Sequence, residues 1–170
     1  NGQYKGYGAE VLLAFANDRG YALQFKGLPV ARLGNEFVAG NLDFKCPDNA
    51  NWAGDLKKGK SVTYSDAVAQ FTDGALMLPE MKGKTTIKAL GAPRGFTPWV
   101  YMGDVTAGKV KLQELDSLEA VIKSAQAKRV DAGYSNIDVA AYYMKNKMGN
   151  ANMLVFDESL SHDKSTYHLS

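Results

Sequence analysis

The feature that most constrains the fold of this chain is a regular alternation of helix patterns with strand patterns. SAQAKRVDAGYSNIDVAAYY at 124–143 ends one helix, turns, crosses a strand and starts another helix, and EFVAGNLDFK at 36–45 is a shorter version. In both, a helix leads through an apolar residue and an aspartate, Leu42–Asp43 and Val130–Asp131, into a predicted strand. Such alternation indicates parallel sheets covered by helices.

The first part of the chain is predicted as two helix–strand pairs followed by loop and extended chain. Helix patterns cover 8–20 and 29–40, each ending in glycine, and strand patterns cover 21–25 and 42–45. The stretch 46–61 is rich in Pro, Asp, Asn and Gly and lacks periodicity, so we predict a loop. Three extended segments are predicted after it, at 62–65, 67–72 and 74–79.

The second part continues the alternation as far as the C-terminal residues. TPWVYMGDV predicts a short helix with Thr97 as its N-cap, and KVKLQEL predicts a strand. Asp116 with Glu119, and Ser135 with Asp138, have the spacing of capping boxes that open the next two helices. Three further strands are predicted in the segments VDAGY, NMLVF and TYHLS.

These elements predict an α/β fold with two lobes, each a mostly parallel sheet flanked by helices, joined by extended hinge segments. Lobe 1 is predicted to comprise 1–78 and 161–170, and lobe 2 to comprise 79–160. Open α/β sheets bind ligands beyond their strand ends, so a ligand is expected in the crevice between the lobes.

Composition excludes several classes of function. Net charge is +2 and the lysines are scattered among predicted turns, which argues against a nucleic-acid partner. The single cysteine, Cys46, cannot form an internal disulfide, and His162 and His168 match no common zinc spacing, so no metal or cofactor is expected. No apolar run approaches the ~18 residues of a membrane span. No nucleotide-binding or nucleophile motif is present, so we predict a protein that is not an enzyme.

Several segments together resemble periplasmic solute-binding proteins of the amino-acid-binding type (family 3, type 2 periplasmic-binding fold). NGQYKGYGAEVLLAFANDRG is similar to the family's opening, and LPVARLGNEFVAGNLDF to its helix ending in Gly-x-x-Asp. VTYSDAV, SLEAVIKSAQAKRVDAGYSN and STYHLS resemble later family segments, in the right order. The resemblance implies a bilobal, Venus-flytrap protein that closes on its ligand, is located in the periplasm, and is a monomer.

The sequence departs from the family pattern at its ends and at its expected site. A first strand and C-terminal helices are missing, which indicates a fragment, an incompletely traced protein or a diverged minimal form, and we favour missing residues because an incomplete sheet exposes apolar edges. Lys58, or Lys57, stands where the family has an arginine for the ligand carboxylate, and Asn136 where it has an aspartate for the ammonium. A standard α-amino acid is therefore less expected as the ligand.

The resemblance places a set of candidate ligand-binding residues around the crevice. Trp52 and Phe96 would supply apolar walls, Arg32, Lys58 and Arg94 positive charge, and Asn136 a hydrogen bond. For Trp52 and Arg32, a loop anchor and a surface ion pair are equally good interpretations. Asp43 and Asp131 are better explained by turns and caps than by acid–base chemistry. The complete candidate set is Tyr4, Arg32, Asn51, Trp52, Lys58, Tyr64, Arg94, Gly95, Phe96, Thr97, Tyr134 and Asn136.

The function predicted from these features is non-catalytic binding of a small polar or anionic organic solute, for an ABC-type importer with a membrane permease as partner. The alternative is a ligand-sensing or protein-interaction module with the same fold and no transport role.

Overall fold

The computed structural model describes residues 4–84 and 86–170, and within them the chain forms two compact units. Unit 1 contains the described residues up to Ala50, together with Gly54–Ala69 and Thr166–Ser170. Unit 2 contains Asn51–Ala53 and the described residues of Gln70–Ser165. The units change over at 69/70 and 165/166, whereas the lobes were predicted to change at 78/79 and 160/161. The observed boundaries at 69/70 and 165/166 lie within two strands of the six-stranded sheet described below.

Unit 1 is built mainly from helices. They are α1 (Tyr7–Arg19), α2 (Val30–Val38) and the short α3 (Gly54–Lys57). Helix α1 ends at Gly20, whose φ of 72° is the left-handed conformation expected at a glycine stop. Although α1 carries the run VLLAFA, Ala16 is its one buried residue.

The two strands predicted at 21–25 and 42–45 do not form. Both segments alternate apolar and polar residues, but a strand also needs neighbouring backbone to accept its hydrogen bonds. Residues 21–29 make none of the ladder bonds among the described residues. The second segment pairs only at its end, where Lys45 and Ser170 exchange backbone hydrogen bonds of 2.8 and 3.0 Å, next to an isolated bridge between Asp48 and His168.

Unit 2 is organised around a six-stranded sheet. Its strands are β1 (Ala69–Met77), β2 (Ala89–Pro93), β3 (Lys111–Leu115), β4 (Ala132–Asn136), β5 (Val155–Phe156) and β6 (Asp163–Tyr167). The order is β3-β2-β4-β1-β5, and β6 also pairs with β1. The pairs β2–β3 and β2–β4 are parallel, whereas β1 is antiparallel to β4 and β5. The predicted α/β class is confirmed.

Helices and loops cover the two faces of this sheet. Helices α5 (Leu118–Gln126) and α6 (Ile137–Asn146) pack on one face, over a core that includes Leu76 and Ile122. The other face carries Ala75, Leu90 and Tyr134, and it is covered by the segment with the 3₁₀ turn Trp99–Tyr101 and helix α4 (Met102–Thr106). Gly133 brings β4 close to α5, because a Cβ there would lie 2.5 Å from a methyl carbon of Val121.

The helix caps differ by one residue from the predicted capping boxes. Ser117, not Asp116, caps α5 by accepting a hydrogen bond from Ala120 N at 3.1 Å. Asn136, not Ser135, caps α6 by accepting from Asp138 N and Val139 N. Thr97 caps no helix, since the turn that follows begins after Pro98 without a side-chain cap. Short polar side chains lie side by side in these turns, so spacing alone does not select among them.

No helix among the described residues is long and apolar enough to cross a membrane.

Candidate functional site

The predicted site residues fall into both units. Four belong to unit 1, namely Tyr4, Arg32, Lys58 and Tyr64. The other eight belong to unit 2, namely Asn51, Trp52, Arg94, Gly95, Phe96, Thr97, Tyr134 and Asn136.

In unit 1, two of the candidates are engaged in local contacts. Tyr4 stacks on Phe25 with ring centroids 5.1 Å apart, and its hydroxyl accepts a hydrogen bond from Gly27 N at 2.7 Å. Arg32 is exposed and lies 3.5 Å from Glu36, one helical turn away. The arrangement around Arg32 is the surface ion pair that the sequence left open as one of two interpretations.

The lysine that carries a defined contact in unit 1 is Lys57 rather than Lys58. Lys57 Nζ donates to a carboxylate oxygen of the fully buried Asp48 at 3.0 Å and lies over the ring of Tyr64, 5.2 Å from its centroid. Lys45 donates to the same oxygen, and Ser170 Oγ donates to the other at 2.8 Å. Burial opposes ionisation of Asp48, but the hydrogen bonds and charges of its partners outweigh burial and lower its pKa. Lys58 is exposed.

In unit 2 the structure gathers several predicted residues into one aromatic cluster. Trp52 lies against Phe71, with ring centroids 5.3 Å apart, and against Phe96, at 6.3 Å. Phe96 meets the edge of Tyr134 at 6.2 Å, and Tyr134 meets Tyr101 at 5.8 Å. Trp52 and Phe96 are half-buried, whereas Tyr134 is fully buried. The cluster therefore extends from the surface of unit 2 into its core.

The short segment Asn51–Ala53 belongs to unit 2 although the residues on either side of it belong to unit 1. Thr97 contributes to its placement, since its hydroxyl accepts a hydrogen bond from Ala53 N at 3.2 Å. Ala53 has a positive φ of 50°, which is uncommon for a residue with a Cβ. The segment is thus held where the Trp52 ring packs against Phe71.

The turn with Arg94 and Gly95, predicted to favour an anion, is already bonded to carboxylates of the chain. Arg94 lies 3.0 Å from Asp116 in an exposed ion pair, and Gly95 N donates to Glu114 Oε1 at 2.9 Å. Positive charge at this turn is therefore balanced within unit 2.

The side chain of Asn136 makes hydrogen bonds both to the N-terminus of α6 and to Asp73. Its oxygen caps α6, and the side chain also hydrogen-bonds the carboxylate of Asp73, its cross-strand neighbour on β1. Asn136 therefore links the α6 N-terminus to Asp73.

Asp73 and Asp163 form a pair of buried carboxyl groups on the neighbouring strands β1 and β6. Burial, followed by the charge of Asp163, raises the pKa of Asp73 to about 7. Burial also raises the pKa of Asp163. The oxygen Oδ1 of Asp73 and the hydroxyls of Tyr101 and Tyr134 are buried without a hydrogen-bond partner among the described residues.

Sequence reasoning missed Phe71, Asp73, Tyr101 and Asp163. The segments 67–72 and 74–79 were predicted as separate, although a single strand, β1, runs through Asp73 and Gly74. Phe71, Asp73 and Ala75 are every second residue of the strand, so their side chains lie on one face of the sheet. A charged residue between two apolar residues of a buried face is unusual, and it could have marked Asp73 as a functional candidate. Asp163 gave no such signal, because it lies in the polar stretch 157–165, which is expected to be a loop, and the predicted strand TYHLS begins only at Thr166.

Comparisons with known proteins agree with this fold. No protein-family model matches the chain, and neither does any curated protein sequence. Among solved structures, the ligand-binding core of GluR0 in complex with L-glutamate matches with a TM-score of 0.75 and 16% identity, over 99% of this chain and 76% of that one. The arginine-, lysine-, histidine-binding protein ArtJ from Geobacillus stearothermophilus matches at 0.71 and 18%, over 99% and 73%.

Two further solved structures also match the chain. The periplasmic VFT2 domain of BvgS from Bordetella pertussis matches with a TM-score of 0.71 and 15% identity, over 99% of this chain and 72% of that one. The ancestral amino-acid-binding protein AncCDT-1, a precursor of cyclohexadienyl dehydratase, matches at 0.66 and 18%, over 99% and 73%. These identities establish the fold alone, and they confirm the resemblance to amino-acid-binding solute-binding proteins at that level.

Within residues 4–84 and 86–170, no group of three or more His, Cys, Asp or Glu side chains is arranged to hold a metal ion.

Proposed function

We propose that this protein is a non-catalytic solute-binding protein that binds a small polar organic molecule. The observation that carries the proposal is the aromatic cluster of unit 2, which begins at the half-buried rings of Trp52 and Phe96 and leads to unpartnered polar atoms. Apolar walls with a few convergent polar groups are typical of small-molecule sites. The fold, shared with proteins crystallised with amino acids, supports the same function.

The residues proposed to contact the solute are those of the aromatic cluster and its rim. Trp52 and Phe96 supply stacking surface, and the hydroxyl of Thr97 and the side chain of Asn51 lie on segments next to them. The inter-lobe position of the site and contacts from Tyr4, Arg32, Lys58 and Tyr64 remain predictions from the resemblance. A purely anionic solute has less support, because Arg94 and Arg32 are each paired with an acidic side chain.

We further propose a role in transport, with the protein acting as a periplasmic monomer that delivers its solute to the permease of an ABC-type importer. The structural match to the periplasmic VFT2 domain of BvgS supports this location. The alternative is a sensing or protein-interaction module, and it would be favoured if no solute bound the protein.

We propose no catalytic role. The sequence has no nucleotide-binding or nucleophile motif that would supply a catalytic group.

A thermal-shift screen of the purified protein against amino acids, small carboxylates, amines, sugars and nucleosides tests the proposal. A ligand at a hundredfold excess over its dissociation constant stabilises the folded state by ~2.7 kcal/mol. We expect one chemical class to raise the melting temperature and Trp52→Ala to reduce that shift. Trp99→Ala is the matched control, because Trp99 is an exposed tryptophan of unit 2 outside the cluster. No shift with any class, from a folded sample, would contradict the proposal.

A further inference from the structure

Among the residues that the structure describes, no cation of the chain balances the buried carboxyl pair of Asp73 and Asp163. The ion pairs of the described residues include neither aspartate. Two carboxylates on adjacent strands repel each other when both are ionised, and burial strengthens the repulsion. An external positive charge would remove this conflict.

Asp73 and two tyrosines, Tyr134 and its neighbour Tyr101, carry buried polar atoms without a partner among the described residues. Asp73 Oδ1 and the hydroxyls of Tyr101 and Tyr134 are buried and accept no hydrogen bond within the described chain. Asp73, Asp163 and Tyr101 each raise the pKa of Tyr134, which places all three within electrostatic range of the Tyr134 hydroxyl. Buried polar atoms of folded proteins are nearly always paired, so a polar group entering this cluster would satisfy oxygens that the described chain does not.

Aromatic rings lead from the surface to this cluster. Phe71 precedes Asp73 by two residues on β1, so both side chains lie on the same face of the sheet. Trp52 packs on Phe71, and Phe96 packs on Tyr134. Rings of this kind attract cations through their faces, most strongly where water is excluded.

We propose that Asp73, Asp163, Tyr101 and Tyr134 form a subsite for a primary ammonium group of the solute. An ammonium group offers three hydrogen-bond donors and one positive charge, which match the unpartnered oxygens and the uncompensated carboxyl pair. Asn136 is a positioning residue, since its hydrogen bond to Asp73 leaves Oδ1 available. This inference rests on the proposed function and specifies the chemistry of its ligand.

The subsite couples ligand binding to protonation. The pKa of Asp73 is raised to about 7, first by burial and then by Asp163, so near neutral pH the carboxyl group is partly protonated without a ligand. A bound cation favours the ionised form, so binding releases protons and tightens as the pH rises from 6 to 8. The facing hydroxyls stay neutral in this range, because burial and nearby acids, Asp157 and Asp104 at Tyr101, raise the pKa of both tyrosines.

Isothermal titration calorimetry of the whole chain with cadaverine, L-lysine and glutarate tests the inference. Cadaverine and glutarate have five-carbon chains with opposite terminal charges, and L-lysine distinguishes an amino acid from a simple diamine. We expect cadaverine, L-lysine or both to bind, with higher affinity at pH 8 than at pH 6, and glutarate not to bind. Heats measured in buffers of different ionisation enthalpy would report the released protons.

Charge removal identifies the residues responsible. Asp73→Asn and Asp163→Asn should each weaken amine binding at least tenfold, while raising the melting temperature of the ligand-free protein at pH 8, because each removes half of a repulsive pair. A purely structural role for the aspartates would lower that temperature. Asp18→Asn makes the same change at an exposed position of unit 1 and should leave binding unchanged.

The remaining outcomes separate this inference from the proposed function. Binding of glutarate or another solute without an ammonium group, or amine binding that both asparagine variants retain, would overturn the inference and leave a solute-binding protein. Failure of all three probes and of the thermal-shift panel would overturn both. The comparison of cadaverine with glutarate uses the unmodified protein, so it is decisive even if a variant does not fold.

Discussion

Asp48 and Asp73 are both almost fully buried, but their neighbours have opposite charges. Asp48 lies between Lys45 and Lys57, and its pKa is lowered because their hydrogen bonds and charges outweigh the effect of burial. Asp73 lies near Asp163, and burial together with that second carboxyl group raises its pKa. One aspartate therefore stabilises its unit, whereas the other is kept at a cost in stability.

The Asp73→Asn variant should lose a pH dependence of stability that the natural protein has. Because the folded-state pKa of Asp73 is about 7 and the ordinary pKa of an aspartate is 3.8, the folded state holds the proton more tightly, and the free energy of unfolding falls as the pH rises from about 4 to about 7. The loss is at most ~4 kcal/mol, since each pKa unit corresponds to about 1.4 kcal/mol.

Urea unfolding of both proteins at pH 4, 5.5, 7 and 8 measures this difference. The groups whose pKa is lowered by folding, such as Asp48, contribute equally to both proteins and cancel. Parallel curves for the two proteins would show that Asp73 ionises freely in the folded state.

Asp48→Asn should destabilise the protein by about 3 to 5 kcal/mol, because it leaves two buried lysines without their shared carboxylate. The effect should appear as a lower midpoint of chemical unfolding at pH 7. Asp55→Asn is the matched control at an exposed aspartate of unit 1. Equal midpoints for Asp48→Asn and the natural protein would contradict a stabilising role for the ion pairs of Asp48 with Lys45 and Lys57.

At the scale of elements, β1 differs most from its sequence prediction. The dipeptide Asp73–Gly74 has the composition of a turn, yet β1 continues through it and pairs with β4 and β5. Gly74 is required there by packing, because a Cβ at this position would collide with the ring of Phe156. Tertiary neighbours thus decide the conformation of a segment whose local preference is a turn.

Gly133→Ala should destabilise unit 2 by about 1 to 3 kcal/mol, the usual effect of overpacking a core. The new Cβ would lie 2.5 Å from Val121 Cγ1, so β4 and α5 would have to separate. Thermal unfolding followed by circular dichroism measures the loss, and Gly103→Ala is the control because a Cβ there has open space. Adding Val121→Ala to Gly133→Ala should restore part of the stability, and a failure to do so would point to another cause.

At the scale of the whole molecule, the two units differ in how their elements are stabilised. Unit 2 has a sheet with buried clusters on both faces, whereas α1 of unit 1 buries only Ala16. Helices in proteins gain most of their stability from packing an apolar face, so α1 is expected to open more readily than the sheet.

Hydrogen exchange measured by mass spectrometry should show this contrast. Amides of α1 should exchange at least about tenfold faster than those of β4, whose residues are all buried. Helix α5, which carries four buried residues, serves as the helical reference and should exchange more slowly than α1. Equal protection of α1 and β4 would show that α1 is stabilised by contacts other than those described.

The α/β class and the positions of α1, α2, α5 and α6 could be predicted from the sequence, because apolar periodicity and turn residues act locally. The resemblance also singled out Trp52 and Phe96, whose rings lie 6.3 Å apart in unit 2. The tertiary structure decided the rest. Among the described residues, 21–25 has no strand partner and 42–45 pairs only at Lys45. Strand β1 continues through a turn-like dipeptide, and two helix caps lie one residue away from their predicted positions. The tertiary structure also brought Asp73 and Asp163 together from positions 90 residues apart in the sequence. Pairing, burial and the pKa values that follow from them depend on neighbours in space, which local sequence patterns do not record.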